Sequence, residues 1–199
     1  IYNKLVNDLK FSTKSIEKLD KFRQNVLNYN KKYNLIAKST ESDIWHRHIL
    51  DSAQLVKFIS FDDNKSLSDL GSGAGFPGLV LSIFNNNRKF HVKIYEKSKV
   101  KTNFMRNVSK NLDIKCDFIE SDIFKNKINS EYIVCRAFKK FDQILKISRE
   151  NTTKQHKLII LKGKSAQEEI NISLKEQNFK YKLVNSITDT DSKIVIVEN

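Results

Sequence analysis

The glycines of this chain are concentrated in one short stretch that could hold a ligand. Four of the five glycines and the only proline lie in the segment Asp69-Leu70-Gly71-Ser72-Gly73-Ala74-Gly75-Phe76-Pro77-Gly78. Glycine lets the backbone turn sharply and approach a ligand closely, and a following helix offers unpaired N–H donors at its N-terminus. Proline suits the first turn of such a helix, where its missing N–H costs nothing. The segment therefore predicts a loop that binds a nucleotide-like cofactor.

Two acidic residues bear on the choice of cofactor. Three of the glycines satisfy the dinucleotide-binding fingerprint, namely Gly73, Gly75 and Gly78. Glu96 follows about 20 residues later, where an acid binds a ribose diol. Asp69, however, would face a diphosphate unfavourably, whereas S-adenosylmethionine has no phosphates and carries a sulfonium and an ammonium that an acid attracts, directly or through water. The pattern favours S-adenosylmethionine, and a nicotinamide dinucleotide is the alternative.

Alternating strands and helices after Lys65 must position this loop. Apolar runs predict strands at residues 66–70, 90–96, 115–119, 132–136, 157–162, 181–184 and 193–198. Helical patterns predict helices at residues 77–84, 98–112, 141–149 and 166–177. This alternation indicates an α/β fold with a mostly parallel seven-stranded sheet, helices on both faces and one antiparallel strand at the end of the chain.

The first 60 residues predict an N-terminal helical cap. A stripe at helical spacing follows a capping Ser12 or Thr13 and consists of Ile16, Leu19, Phe22, Val26 and Leu27. A second helix is predicted to begin near Ser39 or Thr40, with Glu41 and Asp43 in its first turn. We therefore divide the chain into a cap, residues 1–60, and one compact cofactor-binding unit, residues 61–199.

Composition limits the remaining possibilities. With 199 residues the chain is short for a two-domain dehydrogenase, and 36 Lys plus Arg against 23 Asp plus Glu give a net charge of +13, which favours a polyanionic partner. Six of these basic residues are arginine and 30 are lysine, and AT-rich codon usage alone could produce such an excess of lysine.

Cys116 and Cys135 have neither disulfide nor metal-ligand spacing, and no apolar run is long enough to span a membrane. We expect a cytoplasmic protein without a metal.

Five segments, taken together, resemble the RsmG family, also called GidB. They are Asn34-Leu35, Arg47-His48-Ile49-Leu50-Asp51-Ser52, the glycine segment from Gly71 to Gly78, Cys135-Arg136-Ala137-Phe138 and Leu161-Lys162-Gly163. The resemblance covers essentially the whole chain. It implies a Rossmann-like class I methyltransferase that uses S-adenosylmethionine to methylate N7 of one guanine in bacterial 16S ribosomal RNA. The implied partner is 16S rRNA within the small ribosomal subunit or its precursor, and we expect the enzyme to be a monomer.

The cofactor-binding residues are expected along the carboxyl edge of the sheet. Asp69 is expected near the amino-acid end of the cofactor, and Glu96 on the ribose diol. The amides of Gly71, Gly73 and Phe76 are expected along its methionine and ribose. Ser121 and Asp122 are expected near the adenine, although Asp122 could equally be a helix or turn cap. The resemblance also implies that Arg136 lies near both the cofactor and the target base.

Methylation at N7 predicts no catalytic base, because the N7 lone pair is free at neutral pH and catalysis then depends on positioning. Candidate positioning residues are Arg136, Lys162, Arg47 and His48. Arg47 and His48 are expected to bridge the cap to the cofactor-binding unit and to shape the RNA entrance. Lys101 and Arg106 could contact phosphates or lie on a solvated helix face.

Two other functions stay open on the sequence alone. One is an NAD(P)-linked oxidoreductase, which the dinucleotide fingerprint allows. The other is a non-enzymatic RNA-binding protein with a decayed cofactor pocket, which the intact glycine loop disfavours.

Overall fold

One twisted sheet organises the computed structural model, which describes residues 1–176 and 178–198. In these residues seven strands lie in the order β3-β2-β1-β4-β5-β7-β6. Their bounds are β1 Ser66–Leu70, β2 His91–Tyr95, β3 Asp117–Ile119, β4 Tyr132–Arg136, β5 Lys157–Lys162, β6 Tyr181–Asn185 and β7 Lys193–Glu198. Strands β1 to β5 pair in parallel, and β7 is antiparallel to both β5 and β6. The predicted mostly parallel α/β fold is confirmed.

Helices cover the sheet, and two of the described ones begin at a capping serine. The longer helices of the described residues are α1 Thr13–Asn30, α2 Gly78–Phe84, α3 Lys99–Asn111, α4 Phe141–Glu150 and α5 Ala166–Glu176. The Ser12 and Ser98 hydroxyls accept from the amides of Ser15 and Lys101 and so cap α1 and α3. The last residue of the helix predicted at 166–177, Gln177, lies outside the described residues.

The second helix of the cap differs from the prediction. A short 3-10 turn, Lys38–Thr40, stands alone. A separate helical segment follows, built from a π turn Trp45–Leu50, an α turn Asp51–Ala53 and a 3-10 turn Gln54–Phe58. We name residues 45–58 the cap helix. The predicted start near Ser39 or Thr40 was wrong, because the Glu41 carboxylate accepts from the Asn30 side chain instead of serving a helix N-terminus.

The cap packs directly on the sheet and on the glycine loop. Buried residues of α1, the cap helix, β1 and β2 belong to one continuous apolar cluster. The ring of Phe22 lies 5.1 Å from that of Phe76 in the loop, and the Ser15 hydroxyl donates to the Ile83 carbonyl at 3.0 Å. These contacts fix α1 against the glycine loop and α2. In the part of the chain that the structure describes, no helix has both the length and the apolar character needed to cross a membrane.

The strand order also decides where a ligand can bind. β1 is central, with β2 on one side and β4 on the other. The chain places β2 and β3 on one side of β1 and then crosses over to place β4 and β5 on the other side. A parallel sheet has its ligand crevice at such a switch point, outside the carboxyl ends of the strands. The glycine loop follows β1 at this place.

Candidate active site

The glycine loop is shaped by backbone conformations that other residues rarely adopt. Gly71, Gly73 and Gly75 have positive φ angles of 71°, 62° and 101°. A Cβ at Gly71 would lie 2.1 Å from the ring of Phe138, so a side chain there would require that ring to move. Glycine at this position therefore permits the loop to pass under Phe138.

A cavity of about 340 Å³ opens in front of this loop. Most of the predicted cofactor-binding residues line it, namely Gly71, Gly73, Phe76, Glu96, Ser121, Asp122 and Arg136. Lys101, one of the two predicted phosphate contacts, also lines it. Arg106 instead pairs with Glu120 at 3.0 Å on the exposed face of α3. We name this space the cofactor cavity.

Glu96 links the loop to the start of α3. Its Oε2 accepts from the Gly73 amide at 2.9 Å, and its Oε1 accepts from the Ser98 amide at 2.8 Å. Each carboxylate oxygen has a second lone pair, so the group can still accept from a ligand diol. Glu96 is therefore held in one orientation at the cavity wall.

Asp69 lies behind the loop rather than in the cavity. The residue is fully buried, and its Oδ2 accepts from the Gly78 amide at 2.8 Å. Within the described residues its Oδ1 has no hydrogen-bond partner. Burial raises the pKa of Asp69 to about 7, while Ser72, the Gly78 amide and Arg136 act in the opposite direction. The carboxyl group thus secures the start of α2 and would reach the amino-acid end of a ligand only through the loop.

Ser121 and Asp122 stand at the far wall, after β3. The Asp122 side chain accepts from the Phe124 amide at 3.2 Å and so caps a short 3-10 turn. The Asn126 side chain donates to the Ser121 hydroxyl at 2.9 Å. Asp122 therefore has the capping role considered from the sequence. Its contact with the adenine of a bound cofactor stays a prediction.

Arg136, the last residue of β4, joins the sheet to the cap helix. Its Nη1 donates to the Arg47 carbonyl at 2.8 Å and lies 3.3 Å from Asp51 Oδ2. Its Nη2 lies 2.6 Å from His48 Nδ1, and its guanidinium carbon lies 5.4 Å from the centre of the Phe76 ring. The predicted bridge between cap and sheet thus involves the side chains of Arg136 and His48, but only the backbone of Arg47.

The contacts of His48 define its protonation. Arginine can only donate, so Nδ1 accepts from Arg136 and the proton of a neutral ring is on Nε2. Nε2 then donates to the Thr40 hydroxyl at 2.8 Å. Burial, together with the nearby charges of Arg136 and Arg47, lowers the pKa of His48 to about 3. His48 is therefore a neutral, doubly hydrogen-bonded support at neutral pH.

A second cavity of about 330 Å³ lies on the other side of Arg136. His48, Arg136 and Ala137 form the wall that it shares with the cofactor cavity. Arg47, Lys162 and Gly163 also line it. We name this space the second cavity.

Lys162 and the loop after β6 complete the second cavity. Lys162 Nζ donates to Glu169 Oε2 at 2.6 Å and to the Lys139 carbonyl at 2.9 Å, so its charge is paired. Thr188 donates to Asp51 Oδ1 at 2.9 Å. The buried Gln54 side chain donates to the Asp51 carbonyl and accepts from the Ile187 amide.

Sequence reasoning missed these contacts of the loop after β6. The only local signal was a glutamine, Gln54, three residues after Asp51 on a buried helix face. That signal gives no indication of a partner more than 130 residues away. Among the described residues no group of three or more His, Cys, Asp or Glu could hold a metal ion.

Comparisons with known proteins agree with this geometry. A sequence model of the GidB family, described as rRNA small subunit methyltransferase G, matches residues 15–195. The chain is similar to the ribosomal RNA small subunit methyltransferase G of Rickettsia akari, with 38% identity over 96% of this chain and 97% of that protein. It is also similar to that of Pelagibacter ubique, with 35% identity over 85% of this chain and 81% of that protein.

Among solved structures, a SAM-dependent methyltransferase from Aquifex aeolicus has a similar fold. The TM-score is 0.61 at 15% identity, over 81% of this chain and 94% of that chain. At this identity the likeness concerns the fold alone.

Proposed function

Because the chain belongs to the GidB family of rRNA small subunit methyltransferases, we propose that it transfers a methyl group from S-adenosylmethionine to guanine N7 of 16S rRNA. The family description and the names of the relatives specify methyltransferases that act on small-subunit rRNA. An NAD(P)-linked oxidoreductase and a non-enzymatic RNA-binding protein are therefore not favoured. The choice of guanine N7 follows from the family resemblance.

The residues of the cofactor cavity fit S-adenosylmethionine. A Cβ at Gly78 would lie 2.6 Å from Asp69 Oδ2, so the loop can pack on this carboxylate only with glycine there. At Gly73, by contrast, a Cβ would meet no described atom within 4 Å, which leaves space in front of the loop. The buried Ser72 hydroxyl lies close enough to the Asp69 carboxyl to lower its pKa, yet neither this hydroxyl nor Asp69 Oδ1 has hydrogen-bond geometry with a described group. Space and unused polar atoms at the loop are what a bound ligand requires.

Each wall of this cavity has a separate task in our proposal. Glu96, fixed by two backbone amides, accepts from the ribose hydroxyls. Ser121 and Asp122 contact the adenine from the opposite wall. Asp69 holds the loop in place from behind and contributes negative charge near the amino-acid end. The cofactor, when bound, supplies a methyl group on a positively charged sulfur.

The second cavity admits the target base in our proposal. It meets the cofactor cavity at Arg136, so a base in the second cavity lies next to the place of the methyl group. Arg136 is held by Arg47, His48 and Asp51 and forms part of the wall between the two cavities. A neutral His48 with both ring nitrogens engaged is not available as a base, which suits a reaction whose nucleophile is already an unprotonated nitrogen. Catalysis then depends on positioning and on a preorganised electrostatic environment.

The observation that carries this proposal is the pair of cavities that meet at Arg136. Thermal-shift titration tests the cofactor: S-adenosylhomocysteine should raise the melting temperature, and NADH should not. Labelled methyl transfer to small-subunit rRNA from cells lacking this activity tests the substrate. Stabilisation by NADH alone would contradict the proposal.

The form of the substrate is a further part of the proposal. We propose that a monomer acts on 16S rRNA within the small ribosomal subunit or its precursor. Parallel assays on protein-free rRNA, precursor particles and finished subunits test this choice. The highest kcat/KM should be found with one of the two particles, and equal rates on protein-free rRNA would argue against a particle as the substrate.

Arg47 offers a separate test of the second cavity. Its carbonyl, which Arg136 requires, is retained in Arg47→Ala, while the side chain that lines the second cavity is lost. We expect normal folding and normal affinity for S-adenosylhomocysteine, with methyl transfer to rRNA reduced about tenfold, or about 1.4 kcal/mol. Normal methyl transfer by this variant would refute a role for the Arg47 side chain at the RNA entrance.

A further inference from the structure

A basic groove of about 660 Å³ lies at the edge of the sheet opposite the cofactor cavity. The cap helix ends there, β4 and β5 begin there, and β7 ends there. Tyr132 begins the strand that Arg136 ends, so roughly 13 Å of strand separates the groove from Arg136. We name this site the lysine groove and define it by Lys57, Lys157, Lys180, Tyr181 and Lys182.

The lysine groove concentrates positive charge. Four of its eleven lining residues are lysine and one, Glu198, is acidic, whereas about one residue in seven of the whole chain is lysine, 30 of 199. Glu198 pairs with Lys157 at 3.6 Å. Among the side chains that the structure describes, which exclude residue 176, the other three lysines form no ion pair. A concave surface with unpaired charge of one sign attracts a polyanion.

A tyrosine hydroxyl adds a donor to the groove, whereas the Tyr181 ring does not face it. Tyr181 pairs with Val197, so its ring lies on the face of the sheet opposite Lys182, beside Phe179, with ring centres 5.8 Å apart. At the floor of the groove the Tyr132 hydroxyl accepts from the Ser60 amide at 3.1 Å, so its own proton is free for an acceptor such as a phosphate oxygen.

Protection of the sheet edge does not explain the whole cluster. β6 is an edge strand, and lysines such as Lys182 on an edge discourage pairing with another sheet. Lys57, however, lies on the cap helix, and Lys157 lies on β5, which is paired on both sides. The four lysines come from three separate segments, the cap helix, β5 and the start of β6, and meet only in the groove.

We propose that the lysine groove binds the phosphodiester backbone of a second segment of the RNA substrate, away from the base that is methylated. This inference rests on the proposed function, because it takes RNA as the substrate. Lys57, Lys180 and Lys182 supply the phosphate contacts, and the Tyr132 hydroxyl donates to a phosphate oxygen of the same segment. The groove thus adds affinity for the RNA and makes no contact with the reacting groups.

A matched pair of triple variants tests the proposal. The groove variant carries Lys57→Glu, Lys180→Glu and Lys182→Glu. The control carries Lys14→Glu, Lys21→Glu and Lys31→Glu, on or next to α1, and has the same net charge, 13 − 6 = +7. Binding to protein-free small-subunit rRNA is measured from about 0.05 to 0.3 M salt, together with kcat, KM and the affinity for S-adenosylhomocysteine.

The groove variant should bind rRNA at least about tenfold more weakly at about 0.1 M salt, and its log K against log salt slope should be smaller by about 2, as expected for three lost phosphate contacts. Its KM for rRNA should rise, while kcat and the affinity for S-adenosylhomocysteine stay at the wild-type values. The control should lose less than about one unit of slope.

Equal losses in the groove variant and the control would overturn the proposal, because they would reflect net charge alone. Normal binding to protein-free rRNA with weak binding to small subunits would also overturn it, since the groove would then contact a ribosomal protein. Failure of the proposed function has a different signature, which is the absence of methyl transfer by the unsubstituted protein.

Discussion

The two cavities that meet at Arg136 are built by different kinds of contact. The cofactor cavity has the glycine loop as one contiguous wall, which is held by the Gly73 amide on Glu96, 23 residues away, and its other walls come from the cap and from the ends of β2, β3 and β4. The second cavity is formed by side chains from distant parts of the chain. Asp51 and Thr188, for example, are 137 residues apart. One wall of the cofactor site is thus encoded by a contiguous segment, while the adjoining site has no such wall and exists only once the cap, β4 and the loop after β6 have come together.

The largest expected effect concerns the loop itself. In Gly73→Arg a long side chain would occupy the space in front of the loop, because no described atom lies within 4 Å of a Cβ at this position. Affinity for S-adenosylhomocysteine, measured by calorimetry, should fall by more than about 100-fold, or about 2.7 kcal/mol. Gly73→Ala adds only the strain of a positive φ and should lose much less. Unchanged affinity in the arginine variant would remove the loop from the cofactor site.

The same substitution in the second cavity should separate binding from transfer. Gly163 lines only the second cavity of this pair, and no described atom lies within 4 Å of a Cβ placed there. Gly163→Arg should keep the affinity for S-adenosylhomocysteine and lower methyl transfer to rRNA by at least about tenfold, or about 1.4 kcal/mol. If instead cofactor affinity fell as in Gly73→Arg, the two cavities would act as one site.

The pH dependence of stability should have opposite signs for two buried groups, His48 in the wall shared by the cavities and Asp69 behind the glycine loop. The pKa of His48 is lowered from 6.5 to about 3, so the unfolded chain takes up the proton first, and this group costs stability as pH falls from 6.5 toward 3. The pKa of Asp69 is raised from 3.8 to about 7, so the folded protein takes up the proton first, and this group costs stability as pH rises from 4 to 7. Each effect is at most about 1.4 kcal/mol per pH unit.

Urea unfolding without cofactor between pH 4.5 and 7 measures these signs. Relative to the wild type, His48→Gln should gain stability as pH falls, and Asp69→Asn should gain stability as pH rises. Differences that follow pH in the same direction would contradict the assigned protonation of one of the two groups.

The smallest expected effect lies in the shared wall. Ala137 has a φ of 48°, which costs a residue with a Cβ about 1 kcal/mol, whereas glycine tolerates it. Glycine also loses more entropy on folding, so Ala137→Gly should change the free energy of unfolding by no more than about 0.5 kcal/mol. Ala53→Gly, at an ordinary helical φ in the cap helix, is the comparison; because Ala53 is also fully buried, it should destabilise by at least about 1 kcal/mol. Equal destabilisation by both would mean that Ala137 is not strained.

The same contrast explains how much could be predicted from the sequence. The bounds of β4 and β5 agree with the prediction because each is a mainly apolar run that is buried in a parallel sheet. Those of β1, Ser-Leu-Ser-Asp-Leu, agree as well, because the glycine loop marks its end. The start of β3 was predicted two residues early, at Lys115, because apolar residues flank it on both sides. The glycine loop was recognised because its residues are contiguous.

The parts that were missed depend on contacts between distant segments. The position of Asp69 behind the loop follows from the packing of α2, which a spacing rule does not contain. Gln54 and Thr188 carry no sequence signal for their shared contacts with Asp51. The early start predicted for the cap helix rested on local capping rules, which the contact between Glu41 and Asn30 overrides.

The π turn at Trp45–Leu50 stores an extra residue within the cap helix. Each residue of an α-helix advances the side chains by about 100°, and each residue of a π turn advances them by less, because its hydrogen bonds close over one more residue. Deletion of one residue from the π turn should therefore be absorbed by rewinding to an α-helix, with the segments on either side still facing as before. Deletion of one residue from the α turn Asp51–Ala53 has no such reserve and should rotate everything before it by about 100° relative to Gln54.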